Sequence, residues 1–238
     1  MLKLVVDNPD FMVVNKPSGM PMHDSANAII PVAEALFKVE KLWLIHRLDT
    51  DTSGCMLLAK NKFAAAELGK QFADKTIQKY YLALIDTKPK KKQGTVKGDM
   101  KKSRNGDWKL STDNNNPAIT QFFSFVLKDN AKTQELEVDA NLRPAIRLCV
   151  IKPISGKTHQ IRVAMKSLGS SIIGDKRYKG TPSDRLYLHS YVIQFTYNNE
   201  FFNVSCLPQT GELFASQLDR FITQLPKPWL MKWPIFKT

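Results

Sequence analysis

The sequence is poor in the residues by which many chemistries announce themselves. It has three cysteines, Cys55, Cys149 and Cys206, far apart and with no Cys-x-x-Cys pair. So sparse and odd a count excludes a disulfide framework, and each thiol reads as a small buried hydrophobe. The four histidines, His23, His46, His159 and His189, are just as scattered, so no metal site is expected. Neither Gly-x-Gly-x-x-Gly nor Gly-x-x-x-x-Gly-Lys occurs, which removes the two common phosphate-cradling loops and the cofactors they serve. The longest apolar stretch, residues 26–37, is interrupted by Pro31 and Glu34 and is too short to span a bilayer. Residues 1–10 lack a charged-then-apolar leader pattern. A cytoplasmic protein that does not enter the membrane is the expectation.

Negative charge is also scarce. Asp and Glu number 22 against 35 Lys and Arg, a formal net charge of +13. A chain this basic is suited to a polyanionic partner such as nucleic acid. Hydrophobic residues make up 43% of its 238 positions, enough for a substantial core.

Hydropathy patterning predicts strands at 2–6 and 11–15 around an Asn8-Pro9 turn, a helix over 30–39 and a buried strand over 55–59. It continues with an Ala-rich helix at 62–74 and a strand at 79–85. Between Lys88 and Lys109 there are nine Lys or Arg, two Asp and three Gly, which reads as a basic hairpin or loop. Strand character returns at 119–127, 135–138 and 145–151. Thr158 is expected to open a helix that stops at Gly169. Strands at 186–195 and 201–206 and a closing helix at 212–225 complete the pattern. Strands in runs with few helices favour an α+β fold, with a mixed, mainly antiparallel β-sheet core and flanking helices. The expected organisation is one domain over 1–225 carrying the basic insertion 88–109. The tail 226–238, with Trp229 and Trp233, is expected to pack on the domain surface.

Three segments could carry chemistry. His46-Arg47-Leu48-Asp49-Thr50-Asp51-Thr52-Ser53-Gly54 sets a carboxylate beside an arginine, a histidine and hydroxyls at the entrance to an apolar strand. Such polar density is costly unless paired or used, although a capped turn of Asx and Ser/Thr hydrogen bonds would also account for it. Gly156-Lys157-Thr158-His159-Gln160-Ile161-Arg162 offers helix-start amides and cations suited to a phosphate; it reads equally as a basic solvated helix. In Lys79-Tyr80-Tyr81-Leu82-Ala83 strand alternation sends the two tyrosines to opposite faces, and either could be plain core.

Taken together these segments resemble the RluA-type pseudouridine synthases. The nine residues from His46 to Gly54 look like that family's catalytic motif. Asp10 to Gly19 resembles its N-terminal strand and Lys-Pro-x-Gly turn, and Lys79-x-Tyr81-Leu82-Ala83 its tyrosine motif. Gly156 to Arg162, with Gly174-Asp175 and Tyr178, resembles its arginine motif, and Leu188-His189-Ser190 a later strand. The likeness runs from about residue 8 to 210. Lys157 stands where the family usually has Arg, and Ala164 where a His commonly follows. The first strand begins almost at Met1, so no preceding S4 RNA-binding domain is expected.

The resemblance implies the isomerisation of a uridine in structured ribosomal or transfer RNA, without cofactor or metal. No obligate protein partner is evident in the sequence, and a monomer is the default expectation. The resemblance assigns catalysis to Asp49 as attacking carboxylate, Arg162 as its fixed cation, and Tyr81 as stacking group and proton acceptor or relay. It implies RNA contacts from His46, Arg47, Lys157, Thr158, His159 and Gln160. The basic stretch, with Lys90, Lys91, Lys92, Lys101, Lys102 and Arg104, would track phosphates. An idle RNA-binding protein on the same fold is the alternative, against which the intact Asp49, Tyr81 and Arg162 argue. A glycoside hydrolase would need a second catalytic carboxylate, and Asp51, two residues beyond Asp49, reads as a structural turn residue instead.

Overall fold

The computed structural model describes residues 1–103, 106–126, 146–216 and 223–235. The chain opens with the hairpin β1 (Lys3–Asp7) and β2 (Phe11–Lys16), followed by α1 (Ile29–Phe37), β3 (Trp43–Leu44) and β4 (Ser53–Ala59). Next come α2 (Lys62–Ala73), β5 (Gln78–Ile85), β6 (Gln93–Lys102), β7 (Trp108–Ser111), β8 (Ala118–Val126) and β9 (Arg147–Pro153). The remaining elements are α3 (Gln160–Ser167), β10 (Leu188–Tyr197), β11 (Glu200–Ser205), α4 (Glu212–Ser216) and a 3-10 turn at Pro228–Leu230.

Among the described residues the strands form one sheet in the order β1-β2-β4-β10-β5-β9-β8-β6-β7, with β11 added to β10 and β3 to β4. Its pairings are antiparallel except β4 with β10, which run parallel through His189–Ser53 and Ser190–Gly54. The architecture is the expected α+β one. The central strands read as unbroken apolar runs because both faces are covered. Phe11, Val13, Cys55, Leu57 and Ala59 pack beneath Ala64 and Leu68 of α2. Met12, Val14, Met56 and Leu58 face the opposite layer, with Ile29 and Ala33 of α1 and Ile161 and Met165 of α3.

Local chemistry places the ends of these elements. Asn61 caps α2, its side chain accepting from Ala64 N–H at 2.8 Å. Asn198 and Asn199 adopt φ of 49° and 62°, the left-handed pair that a two-residue hairpin between β10 and β11 requires. Gly54 has φ of 119°, and a Cβ there would lie 2.2 Å from the Ser190 carbonyl oxygen. Only glycine lets β4 and β10 approach so closely.

Of the two forms expected for the basic stretch the hairpin is observed, since Gln93–Lys102 and Trp108–Ser111 pair and β6 also joins the sheet through β8. Other expectations are revised. The third helix begins at Gln160, since His159 caps it in the left-handed region at φ 55°; Thr158 lies in the preceding turn. The two-residue strand β3 has no counterpart in the hydropathy pattern. The expected strand at 135–138 lies outside the described residues, as does 217–222 of the expected closing helix. Trp233 packs against Tyr80 and Phe123 at centroid distances of 5.9 and 5.0 Å, so this part of the tail covers the sheet face opposite Tyr81. The Cys55 and Cys206 thiols touch at 3.0 Å, a pairing that their spacing does not suggest. No helix among the described residues is long and apolar enough to cross a membrane.

Candidate active site

Asp49 lies in the loop between β3 and β4, its side chain 22% exposed. The loop is held from beneath by its backbone. Lys16, fully buried at the end of β2, donates from Nζ to the carbonyls of Pro17 (3.0 Å), Met20 (2.9 Å) and Thr50 (2.8 Å). Gly19 N–H donates to the same Thr50 carbonyl at 3.0 Å, and Ser18 Oγ to the Asp51 carbonyl at 2.7 Å. Burial pulls the Lys16 pKa down to about 8, with Asp51 and Asp49 opposing the shift and Arg185 adding to it.

A buried polar chain supports the next residues. His189 is fully buried and its pKa falls to about 3, chiefly through burial. Its neutral ring therefore donates from Nε2 to the Cys206 carbonyl at 2.8 Å, which leaves Nδ1 to accept from Ser53 Oγ at 2.8 Å. Arg185 Nη2 donates to the same Ser53 Oγ at 2.7 Å. Ser53 and His189 thus lock β4 to β10 directly behind the loop.

Arg162 projects from the first turn of α3. Its Nε and Nη2 donate to the two oxygens of Asp175, each at 2.8 Å. Asp175 is itself buried and also accepts from the backbone N–H groups of Arg177 and Tyr178. The remaining end of the guanidinium, Nη1, lies 3.4 Å from Asp49 Oδ2. Behind Arg162 stands the ring of Tyr178, 5.2 Å from the guanidinium carbon. The arrangement presents a carboxylate to the cleft beside a cation whose position is dictated by a different carboxylate.

Tyr81 sits on β5 opposite Ser190 of β10 and Ile151 of β9. Burial raises its phenol well above the ordinary value; a hydrogen bond with Ser190 offsets part of this, and Asp49 adds to it. Tyr81, Asp49, His46 and Leu48 line a cleft of about 450 Å³. A second cavity of about 860 Å³ lies alongside, and Arg47, Asp49, His159 and Arg162 border both. Among the described residues no group of three or more His, Cys, Asp or Glu is placed to hold a metal ion.

With this geometry in hand, comparison with known proteins is decisive. A family model described as RNA pseudouridylate synthase matches residues 10–167. A Haemophilus influenzae protein named as an uncharacterized RNA pseudouridine synthase is 42% identical over 237 residues, covering 97% of this chain and 99% of that one. The chain belongs to the RNA pseudouridylate synthase family. A ribosomal large subunit pseudouridine synthase C from Vibrio vulnificus is 33% identical over 207 residues, covering 82% of this chain and 61% of that protein. Among solved structures, human RNA pseudouridylate synthase domain containing 1 shares the fold with a TM-score of 0.70 at 22% identity, covering 95% of this chain and 96% of that one. The protein is an RNA pseudouridine synthase, an isomerase.

In this synthase the three catalytic candidates converge, Asp49 and Arg162 in contact and Tyr81 on the same cleft. The RNA candidates of the two motifs, His46, Arg47 and Lys157 to Gln160, line the same cleft. Arg47 and Thr158 are exposed and Lys157 and His159 half-buried. His46 is stacked on Phe72 at 4.4 Å and accepts from Leu57 N–H through Nε2 at 2.9 Å. Burial, with Lys79 nearby, lowers its pKa to about 3. Gln160 departs from expectation, because its amide has no group left for RNA. Its Nε2 donates to the Ile119 carbonyl and Thr120 Oγ1, while its Oε1 accepts from Ser155 Oγ and Lys157 N–H.

Lys90, Lys91 and Lys92 are exposed before β6 and Lys101 and Lys102 at its far end; Arg104 lies outside the described residues. Lys101 is paired with Asp113, and Lys102 lies over Trp108 at 5.6 Å. Sequence reasoning finds Lys16, Asp175, Tyr178 and His189 within motifs but gives them no work. Their spacing from Asp49 and Arg162 carries no periodicity that would reveal the contacts.

Proposed function

We propose that Asp49 is the nucleophile that breaks the N1–C1′ bond of a uridine flipped out of structured RNA. A carboxylate oxygen bonds to C1′ as uracil leaves with the electron pair on N1. The base turns, C5 attacks C1′, and the carboxylate departs with its electrons. One proton must then leave C5 and one must reach N1. Tyr81, whose phenol burial keeps neutral, is suited to stack on the uracil and relay this proton, giving its own to N1 as it takes that of C5. The scheme needs no redox partner and no external energy.

Arg162, held by Asp175, keeps a fixed cation beside Asp49. Arg47, exposed at the border of both cavities, fills the place of the extruded base, whose flipping costs a few kcal/mol. Lys157, Thr158 and the basic hairpin contact phosphates. The target lies in ribosomal or transfer RNA, and the enzyme works in the cytoplasm as a monomer.

The observation that carries this reading is the partial exposure of Asp49 to the cleft at 3.4 Å from a guanidinium already committed to Asp175. The test is tritium release from [5-³H]uridine-labelled RNA of cells lacking this gene, by the wild-type and Asp49→Asn proteins. Release by wild type alone is expected, and fractionation into ribosomal and transfer pools locates the target. Release by Asp49→Asn at the wild-type rate would remove Asp49 from the chemistry.

A further inference from the structure

His159 occupies an unusual position. It borders both cavities beside Asp49 and Arg162 and adopts the left-handed backbone at φ 55°, uncommon for a residue with a Cβ. Its Nδ1 lies 2.9 Å from Tyr178 Oη, with the rings edge-on at 5.6 Å and 82°. Tyr178 is fully buried, and its Oη also receives the Trp108 backbone N–H at 3.2 Å. That N–H can only donate, so the phenolic oxygen is an acceptor there. If His159 Nδ1 also donated to it, the buried hydroxyl hydrogen would have no partner, at a free-energy cost. The arrangement in which every group is satisfied has Tyr178 O–H donating to an unprotonated Nδ1, which puts the imidazole proton on Nε2.

We propose that Tyr178 is a positioning residue that holds His159 as its neutral Nε2–H form, so that the site presents Asp49 with a hydrogen-bond donor and not with a second cation. The inference rests on the assignment of Asp49 as nucleophile. An imidazolium beside Asp49 would compete with the sugar carbon for the carboxylate, which Arg162 touches only at its edge. The groups facing His159 are balanced. Asp49 and Asp175 favour its protonation, whereas Arg162, Arg177 and burial, the largest influence, oppose it. Asp107, from the segment before β7, is paired with Arg177 at 3.4 Å. A hydrogen bond donated to Nδ1 adds to the opposing side, because it exists only with the neutral ring. Through Trp108 the same phenol ties the basic hairpin to this point.

Two measurements decide the matter. In long-range ¹⁵N–¹H spectra of the intact protein without RNA, with His159 assigned by His159→Gln, wild type should show Nδ1 bare and Nε2 protonated. This should persist through pH 6, where a free imidazole of pKa about 6.5 is largely charged. A Nδ1–H tautomer, or protonation at the ordinary pKa, would overturn the proposal without touching the assignment of Asp49. Tyr178→Phe keeps the ring under Arg162 and removes only the hydroxyl. Its kcat should acquire an acid limb at higher pH than any shown by wild type, because one influence opposing protonation of His159 is lost while burial remains, and should stay within about threefold of wild type at pH 8. A loss uniform across pH, or none, would mean the hydroxyl serves packing alone. Should Tyr178→Phe fail to fold, the wild-type spectrum decides by itself.

Discussion

Asp175 grips Arg162 through two hydrogen bonds of 2.8 Å, while Asp49 stands 3.4 Å from the same guanidinium. The division of labour matters because a cation free to choose would chelate the nucleophile. Asp175→Asn is therefore expected to lower kcat at least about 100-fold, an effect of the size seen when a preorganised charge is lost. It should also destabilise by about 3–5 kcal/mol, since it leaves a buried cation poorly paired. In a chain of this size that lowers Tm by roughly 2–4 °C per kcal/mol. Asp49→Asn should abolish turnover with Tm nearly unchanged, because Arg162 keeps its partner. Paired melting curves and tritium-release rates check both; equal Tm losses in the two variants would contradict this separation.

Arg162→Lys retains a positive charge but not the fork that spans both Asp175 oxygens. The ammonium can serve Asp175 or Asp49, not both. A kcat loss of about 100-fold with Kd for RNA within about threefold is expected, measured by single-turnover kinetics and filter binding. A proportional loss in binding would reassign Arg162 to substrate affinity.

Gly54→Ala places a Cβ 2.2 Å from the Ser190 carbonyl oxygen at φ 119°. Backbone on both sides leaves no flexible group to yield, so a loss beyond about 4 kcal/mol is expected. Gly19→Ala is the control, for its φ is also positive at 83° but nothing lies within 4 Å. It should cost about 1–2 kcal/mol. Urea denaturation of the two variants gives the comparison.

The legible parts of this protein are those governed by local rules. The apolar runs at Phe11 to Val14 and Cys55 to Ala59, the Asn198-Asn199 turn and the amphipathic α2 each follow from residues close in sequence. The dense polar motif around Asp49 marks itself as costly. What escapes is long-range. Asp175 reaches Arg162 across 13 residues of chain, Lys16 reaches Thr50 across 34, and Ser53 reaches His189 across 136. Gln160 shows the converse failure, because a polar residue in a basic motif looks free and is consumed by four internal hydrogen bonds. The basic stretch reads as either hairpin or loop because Lys, Gly and Asp have little strand preference; β6 is a strand through its pairing with β8.

Lys16 supplies a pH prediction. Its folded pKa of about 8 lies below the ordinary value of 10.5, so between those values the folded protein loses this proton before the unfolded chain does. Through this group alone, stability rises with pH across that window. Catalysis goes the other way. A neutral amine has two hydrogens for three carbonyls and weaker bonds to each, so the loop bearing Asp49 loosens. The expected kcat profile therefore falls on an alkaline limb near pH 8, while Tm relative to Lys16→Met improves from pH 8 to 10. An alkaline limb that survives in Lys16→Met would belong to another group.

The two basic ends of β6 should behave differently toward RNA. Lys92 and Lys102 are ten residues apart along an extended chain, on the order of 30 Å. The Lys102 end is fastened to the active-site wall, through Trp108 N–H on Tyr178 Oη and Arg177 on Asp107. Phosphates flanking a uridine in the cleft should therefore meet Lys101 and Lys102, and not Lys90, Lys91 and Lys92. Each phosphate contact contributes about 0.7–0.9 to the slope of log affinity against log salt. Lys101→Ala/Lys102→Ala should flatten that slope by roughly 1.5, with the larger share from Lys102, since Lys101 is shared with Asp113. Replacing Lys90, Lys91 and Lys92 together by Ala should leave it nearly unchanged. The opposite ranking would move the RNA path to the other end of the strand and make the link from hairpin to Tyr178 purely architectural.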